Sequence, residues 1–230
     1  MENEDSKDKE IEYCVYLFAD LLEYGGNLTF EYSIPVLQDC WIKKIFSLIK
    51  HKNEQIRHMS VYSMSLLADK YESIFTNYLF ITLEELNSLI LAQDSRSESY
   101  LASTENAILT VGKILQRYPS QLSMESLLPA WLNYFPIQLS EDANSIYSLL
   151  CRFYGTFKNT LFANDFSNFV KMVEALVKGV TELLVDDDHA RGEIIALFFQ
   201  LKIEFPNELE KAMQCLPDKG VALLEILSDY

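Results

Sequence analysis

The stretch ILTVGKILQRY, residues 108–118, sets large apolar residues three or four positions apart, at Ile108, Val111, Leu115 and Tyr118. That spacing is one buried face of an α-helix. Gly112 lies on the same face, and with Lys113 it forms half of a phosphate-binding loop. Such a loop needs G-x-x-x-x-G-K-[ST] ahead of a helix, so that backbone N–H groups curl around the phosphates. Here Ala107 stands five residues before Gly112, Ile114 follows Lys113, and the pair sits inside the helical pattern. A small residue on a buried helix face instead lets a neighbouring helix approach, at a propensity cost of about 1 kcal/mol. This reading predicts small residues at the equivalent place in other helices.

Aligning VYSMSLLADKY (61–71) with ILTVGKILQRY puts Ser65 on Gly112 and Tyr71 on Tyr118. YLFADLLEY (16–24), SLLCRFYGTF (148–157) and EIIALFFQL (193–201) extend the series, and the small positions become Ala19, Ser65, Gly112, Cys151 and Ala196. Their separations are 46, 47, 39 and 45 residues. A recurrence of roughly 40–47 residues built from two helices is the HEAT-type period. One such unit cannot bury its apolar faces alone, so neighbours stack into a solenoid. Residues 41–68, WIKKIFSLIKHKNEQIRHMSVYSMSLLA, carry the pattern of one unit: an apolar helix, a polar turn and a second helix opening on Ile56-Arg57. Asn53 is placed to cap that second helix, and Arg57 to reach back to the turn.

Helical patterns are expected at about 9–24, 35–50, 53–71, 79–93, 104–118, 123–135, 141–157, 165–185, 189–204 and 207–228. Gly25-Gly26-Asn27, Pro119, Pro136 and Pro206 punctuate them, with Ser123, Ser140 and Asn164 as N-cap residues. The expected fold is an all-α, α-α superhelix, a HEAT-repeat solenoid of about five helix pairs. A disordered acidic N-terminus is expected over 1–9 and a single solenoid domain over 10–230. Trp41 and Trp131 stand among large apolar neighbours and are expected to anchor the core.

With 230 residues the chain can bury a sizeable core, and its 7 Gly and 6 Pro are few for a loop-rich fold. The formal charge of −15 argues against nucleic acid or an anionic membrane surface as a partner. Cys14, Cys40, Cys151 and Cys215 are far apart, without a C-x-x-C pair. No apolar run reaches the roughly 18–20 residues of a membrane span. These features fit an intracellular, soluble protein.

The one cluster with a chemical look is VDDDHARGE (185–193), where Asp186, Asp187, Asp188, His189 and Glu193 carry metal-ligating side chains. The EF-hand order of ligands and glycine is absent, and so is H-E-x-x-H. A solvated turn is the better reading, with Asp187 or Asp188 capping the helix that follows. His51 and His58 straddle the turn at Asn53 and share no helical ligand face. No nucleophile elbow occurs, and Lys43, Lys44, Lys50 and Lys52 read as a solvated helix face. The expectation is no catalysis, no cofactor and no metal.

The pieces Thr104-Glu105-Asn106-Ala107-Ile108, Val111-Gly112-Lys113-Ile114 and Leu128-Pro129-Ala130-Trp131-Leu132 resemble the C-terminal HEAT repeats of karyopherin-β nuclear import receptors, importin-beta-3 class. The similarity covers about residues 11–228. It implies a non-catalytic receptor region in nucleocytoplasmic transport, in cytoplasm and nucleus and at the nuclear pore. The implied partners are protein cargo with basic segments and Phe-Gly nucleoporins, which insert Phe between HEAT helices. Ran GTPase is implied only together with N-terminal repeats that have no counterpart here. The alternative is a HEAT scaffold subunit of another complex, of phosphatase or chromosome type. If second helices line the binding side, they present Asp39, Glu84, Glu85, Glu125, Asp165, Glu174, Glu182, Glu208 and Glu210. From these, Glu84, Glu85, Glu125, Asp165, Glu174 and Glu182 are the candidate partner-binding residues, suited to Lys/Arg-rich segments.

Overall fold

The computed structural model describes residues 2–25, 35–139, 141–162 and 165–216. Among them the chain is helical without a strand, and it forms two compact units, Met1–Arg117 and Tyr118–Tyr230. The first unit holds α1 (Glu2–Tyr24), α2 (Pro35–Leu48), α3 (Glu54–Lys70), α4 (Leu79–Ile90) and α5 (Glu98–Arg117). A short helical turn, Glu72–Phe75, and a 3-10 turn, Thr76–Tyr78, join α3 to α4. The second unit opens on a 3-10 turn, Pro119–Gln121. It continues with α6 (Met124–Leu132), α7 (Ala143–Phe162), α8 (Phe166–Thr181), α9 (Asp188–Glu204) and α10 (Pro206–Gln214). Within each unit consecutive helices pack on one another, as in the HEAT-repeat α-solenoid class. α1 begins at Glu2, inside the stretch 1–9 set apart above as an acidic terminus.

In the first unit α3 lies between α1 and α5, with α2 packed on α3 and α4 packed chiefly on α5. α1 and α2 run antiparallel: Asp8 lies 3.8 Å from His51 just beyond α2, while Phe18 stacks on Trp41 with centroids 5.2 Å apart. Ala19, Ser65 and Gly112 are all buried, as the repeat requires. Lys113 Nζ donates to Ser65 Oγ at 3.1 Å, so the Gly-Lys pair belongs to the α3–α5 interface. Asn53 Oδ1 accepts from the N–H groups of Gln55 and Ile56 at 3.0 and 3.2 Å and caps α3. Arg57, fully buried, donates from Nη1 to the His51 carbonyl at 2.6 Å and from Nε to Ser103 Oγ at 3.1 Å. Its Nη2 donates to the Ser99 carbonyl, and its guanidinium lies 3.7 Å from the Tyr100 ring centroid. One side chain thus ties α3 both to its own turn and to the start of α5. Burial drives the Arg57 pKa down from its ordinary value.

In the second unit α7 packs on α9, and α8 touches α6, α7 and α10. Trp131 is fully buried, its ring edge-on to Phe135 and Phe153 at 5.1 and 5.2 Å. Gly179 lets α8 close on α7, since a Cβ there would lie 2.9 Å from the Tyr147 ring. Burying each large aliphatic or aromatic side chain of such a core contributes about 1.5–3 kcal/mol.

Several expectations need correction. Ala196 is exposed and Cys151 only half-buried, because α9 has α7 on one side and an open cleft where the small residues lie. Trp41 is 37% exposed, because it stacks on Phe18 and also borders an open cleft between α1 and α2. α5 starts at Glu98 rather than 104, since Ser103, Thr104, Glu105 and Asn106 are buried polar residues that mask the apolar period. Phe157 has non-helical dihedrals inside α7, at the place where the pattern 141–157 ends. Asp165 caps α8 through the Ser167 N–H at 2.8 Å, while Ser123 makes no side-chain cap bond. Gly26, Asn27, Ser140, Asn164 and the pattern beyond 216 lie outside the described residues.

Candidate protein-interaction surface

The acidic cluster 186–193 is organised by backbone requirements. Asp187 Oδ1 accepts from the Ala190 N–H at 2.8 Å and caps α9. Asn144 on α7 braces the same turn. Its Nδ2 donates to Asp186 Oδ1 at 2.7 Å, and its Oδ1 accepts from the Asp186 and Asp187 N–H groups at 3.1 and 3.3 Å. His189 lies 3.7 Å from Glu193, one turn along the same helix. His51 Nδ1 accepts from the Asn53 N–H at 3.1 Å, again a turn-forming contact. Burial pushes the Cys151 thiol up to about 12, so it stays protonated at neutral pH.

The most recognisable residues are structural too. Thr104 Oγ1 donates to the Ser95 carbonyl at 2.7 Å, and buried Glu105 lies 3.4 Å from Arg96. Leu128, Trp131 and Leu132 are core residues. These residues hold the fold together rather than presenting side chains to a partner.

The six candidate carboxylates fall into different roles. Glu84 and Glu125 are exposed, with no ion pair among the described residues. Glu85 is half-buried and pairs with Lys50 at 2.5 Å. Glu174 pairs with Lys178 at 2.7 Å. Asp165 is spent on the α8 cap, and the Ser167 N–H holds its carboxyl below the usual range. Glu182 is the exposed residue that ends α8. Asp39 is similarly engaged, by Lys43 at 2.6 Å and the Tyr78 hydroxyl at 2.7 Å, which lower its pKa. Glu84 and Glu85 belong to the first unit and the other four to the second.

Two surface concavities were not anticipated. One, of about 440 Å³, lies between α1 and α2 beside Trp41. The other, of about 240 Å³, lies between α7 and α9 over Cys151, Gly155 and Ala196. Phe199 and Ile203 continue an exposed apolar face along α9, and Tyr13, Leu17, Leu21 and Tyr24 do so along α1. The helical spacing of these residues was visible, but periodicity cannot distinguish an open face from a covered one.

No family model matches the chain. It is similar to a probable importin-5 homolog of Dictyostelium discoideum, 25% identical over 191 residues that cover 80% of this chain and 17% of the relative. It is also similar to importin subunit beta-3 of Saccharomyces cerevisiae, 23% identical over 172 residues, 74% of this chain and 15% of the relative. The chain is thus distantly homologous to a region of each importin and spans about a sixth of their length.

Proposed function

We propose that the chain acts as a non-catalytic protein-docking segment of the nuclear transport receptor type, importin-beta-3-like, working in cytoplasm and nucleus. The observation that carries this reading is the importin similarity along most of a chain whose two units are built of packed helices. The structural employment of the cluster at 186–193 supports docking over catalysis. The chain offers protein partners two chemistries. Glu84 and Glu125, exposed and without an ion pair among the described residues, suit Lys/Arg-rich cargo segments, and the α7–α9 cleft with the exposed Phe199 and Ile203 of α9 suits Phe-Gly segments of nucleoporins. Ran GTPase enters only where further repeats accompany this region.

Affinity capture from cell extract with the immobilised chain, with and without Ran-GTP, tests the proposal. Proteins rich in Lys/Arg segments are expected in the bound fraction, released at high salt, and depleted for the Glu84→Lys/Glu125→Lys variant. Capture unaffected by that variant and by salt contradicts the cargo reading. Recovery of phosphatase or chromosome-complex subunits in place of transport components favours the scaffold alternative.

A further inference from the structure

We infer that the groove between α1 and α2 is a docking site for an acidic amphipathic helix of a partner protein, a preference opposite in charge to the rest of the chain. Its floor is apolar, formed by Ile11, Val15 and Ile45. Trp41 stands at its wall, one face stacked on Phe18 and 37% of its surface open to an incoming side chain. Half-open tryptophan beside an apolar floor is the composition of an interface hot spot.

Charge selects the partner. The groove's ionisable wall residues, apart from its two cysteines, are Lys7, Glu10 and Lys44, a local excess of positive charge on a chain of formal charge −15. Neither lysine ammonium is engaged in an ion pair among the described residues. Lys43, Lys50, Lys158 and Lys178, by contrast, are each held by a carboxylate. Two uncommitted ammonium groups flanking an apolar floor attract carboxylates and disfavour a basic segment.

Register follows from the antiparallel pairing. The Asp8–His51 and Phe18–Trp41 contacts place Lys44 level with Val15, so it stands about eight residues, or about 12 Å along the axis, from Lys7. A docked helix meets both lysines when its carboxylates are about two turns apart, with apolar anchors at i, i+3, i+4 and i+7 between them. A volume of about 440 Å³ accommodates side chains inserted from a helix laid across an open groove.

Cys14 and Cys40 lie in the groove wall and are exposed, whereas Cys215 is exposed outside the groove. They supply a footprint. The test uses the full chain and a synthetic helical peptide of about twelve residues, with two glutamates about two turns apart and leucines between them, plus a twin carrying lysines in their place. Binding of the glutamate peptide is expected to slow alkylation of Cys14 and Cys40 about tenfold while leaving Cys215 unchanged, read by mass spectrometry. It should also blue-shift Trp41 fluorescence, with buried Trp131 contributing no change. The surface double variant Lys7→Glu/Lys44→Glu, verified as folded by circular dichroism, is expected to lose this binding about tenfold and to accept the lysine twin. Failure of the glutamate peptide to protect either cysteine overturns the inference, as does equal binding of the twins to the wild-type chain. So does groove occupancy by a Phe-Gly peptide with the glutamate peptide excluded. The Glu84→Lys/Glu125→Lys variant, altered on other helices, should lose basic cargo yet keep protection of Cys14 and Cys40 by the glutamate peptide, so this inference and the proposed function fail separately.

Discussion

Replacing Arg57 by alanine removes the side chain that joins α3 to the turn before it and to the start of α5. The buried hydroxyl of Ser103 and the part-buried carbonyls of His51 and Ser99 then lose a donor. Leaving the buried Ser103 hydroxyl short of a donor costs about 1–3 kcal/mol, the two part-buried carbonyls add less because water reaches them, and the lost stacking over Tyr100 adds about 0.5–1 kcal/mol. Relief of the desolvation that lowers the Arg57 pKa offsets part of this loss. The balance is a destabilisation of about 3–5 kcal/mol, in the range that marks a broken buried network. Arg57→Met keeps most of the volume while also removing the charge, and is expected to cost about 2–3 kcal/mol. Urea unfolding followed by circular dichroism gives the loss, and hydrogen exchange locates it. Amides of α3 and α5 should lose protection, whereas those of α7 and α8 in the other unit should change little. A loss below about 1 kcal/mol for Arg57→Ala would refute the argument that this guanidinium holds the α3–α5 corner.

Three further outcomes are expected. Gly179→Ala drives a Cβ to 2.9 Å from the Tyr147 ring and should destabilise by about 1–2 kcal/mol. Gly192→Ala, where a Cβ meets nothing within 4 Å, should stabilise α9 by up to about 1 kcal/mol; equal effects at the two sites would contradict the close approach of α8 to α7. Glu204 accepts from Lys158 at 2.8 Å, Tyr154 at 2.6 Å and Gln200 at 2.9 Å, and these donors hold its pKa down to about 2. Because the folded value is depressed, this stabilisation is present above the ordinary carboxylate range and is lost as pH falls toward 2. Glu204→Gln should therefore flatten the stability profile across that acid window, and an unchanged profile would show that the three donors do not act on this carboxylate. Asp187→Ala should cost about 0.5–2 kcal/mol by uncapping α9, with millimolar Ca²⁺ leaving the wild-type melting temperature unchanged; a melting shift of several degrees that vanishes in the variant would instead identify a metal site.

The helix pairs were legible in the sequence because their signals are local. Asn53 and Asp187 are cap residues by type and position, and Ala19, Ser65 and Gly112 mark a buried face by spacing alone. The failures depend on what packs next, which no local rule encodes. Ala196 and Trp41 have the same surroundings in sequence as buried counterparts, yet one helix or one ring too few leaves them open. Gly179 was missed because it lies outside the recurring small position, on a second helix, and its role appears only against Tyr147. The candidate carboxylates illustrate the same limit. Sequence identified them by charge, but the structure withdraws Asp165 to a cap and Glu85 and Glu174 to lysines, leaving Glu84 and Glu125 unpaired among the described residues.

The central claim is that the chain docks basic protein segments through carboxylates, and the salt dependence of binding addresses it most directly. A fluorescent Lys/Arg-rich peptide and a Phe-Gly peptide are titrated with the wild-type chain as the Debye length falls from about 10 Å at 0.1 M to about 3 Å at 1 M salt. The basic peptide should bind at low salt, weaken steeply as salt rises, and lose its low-salt affinity in Glu84→Lys/Glu125→Lys, while the Phe-Gly peptide, held by apolar burial, should change little in either comparison. A basic peptide that fails to bind at low salt, or that binds equally to the wild-type and charge-reversed chains, would contradict the claim.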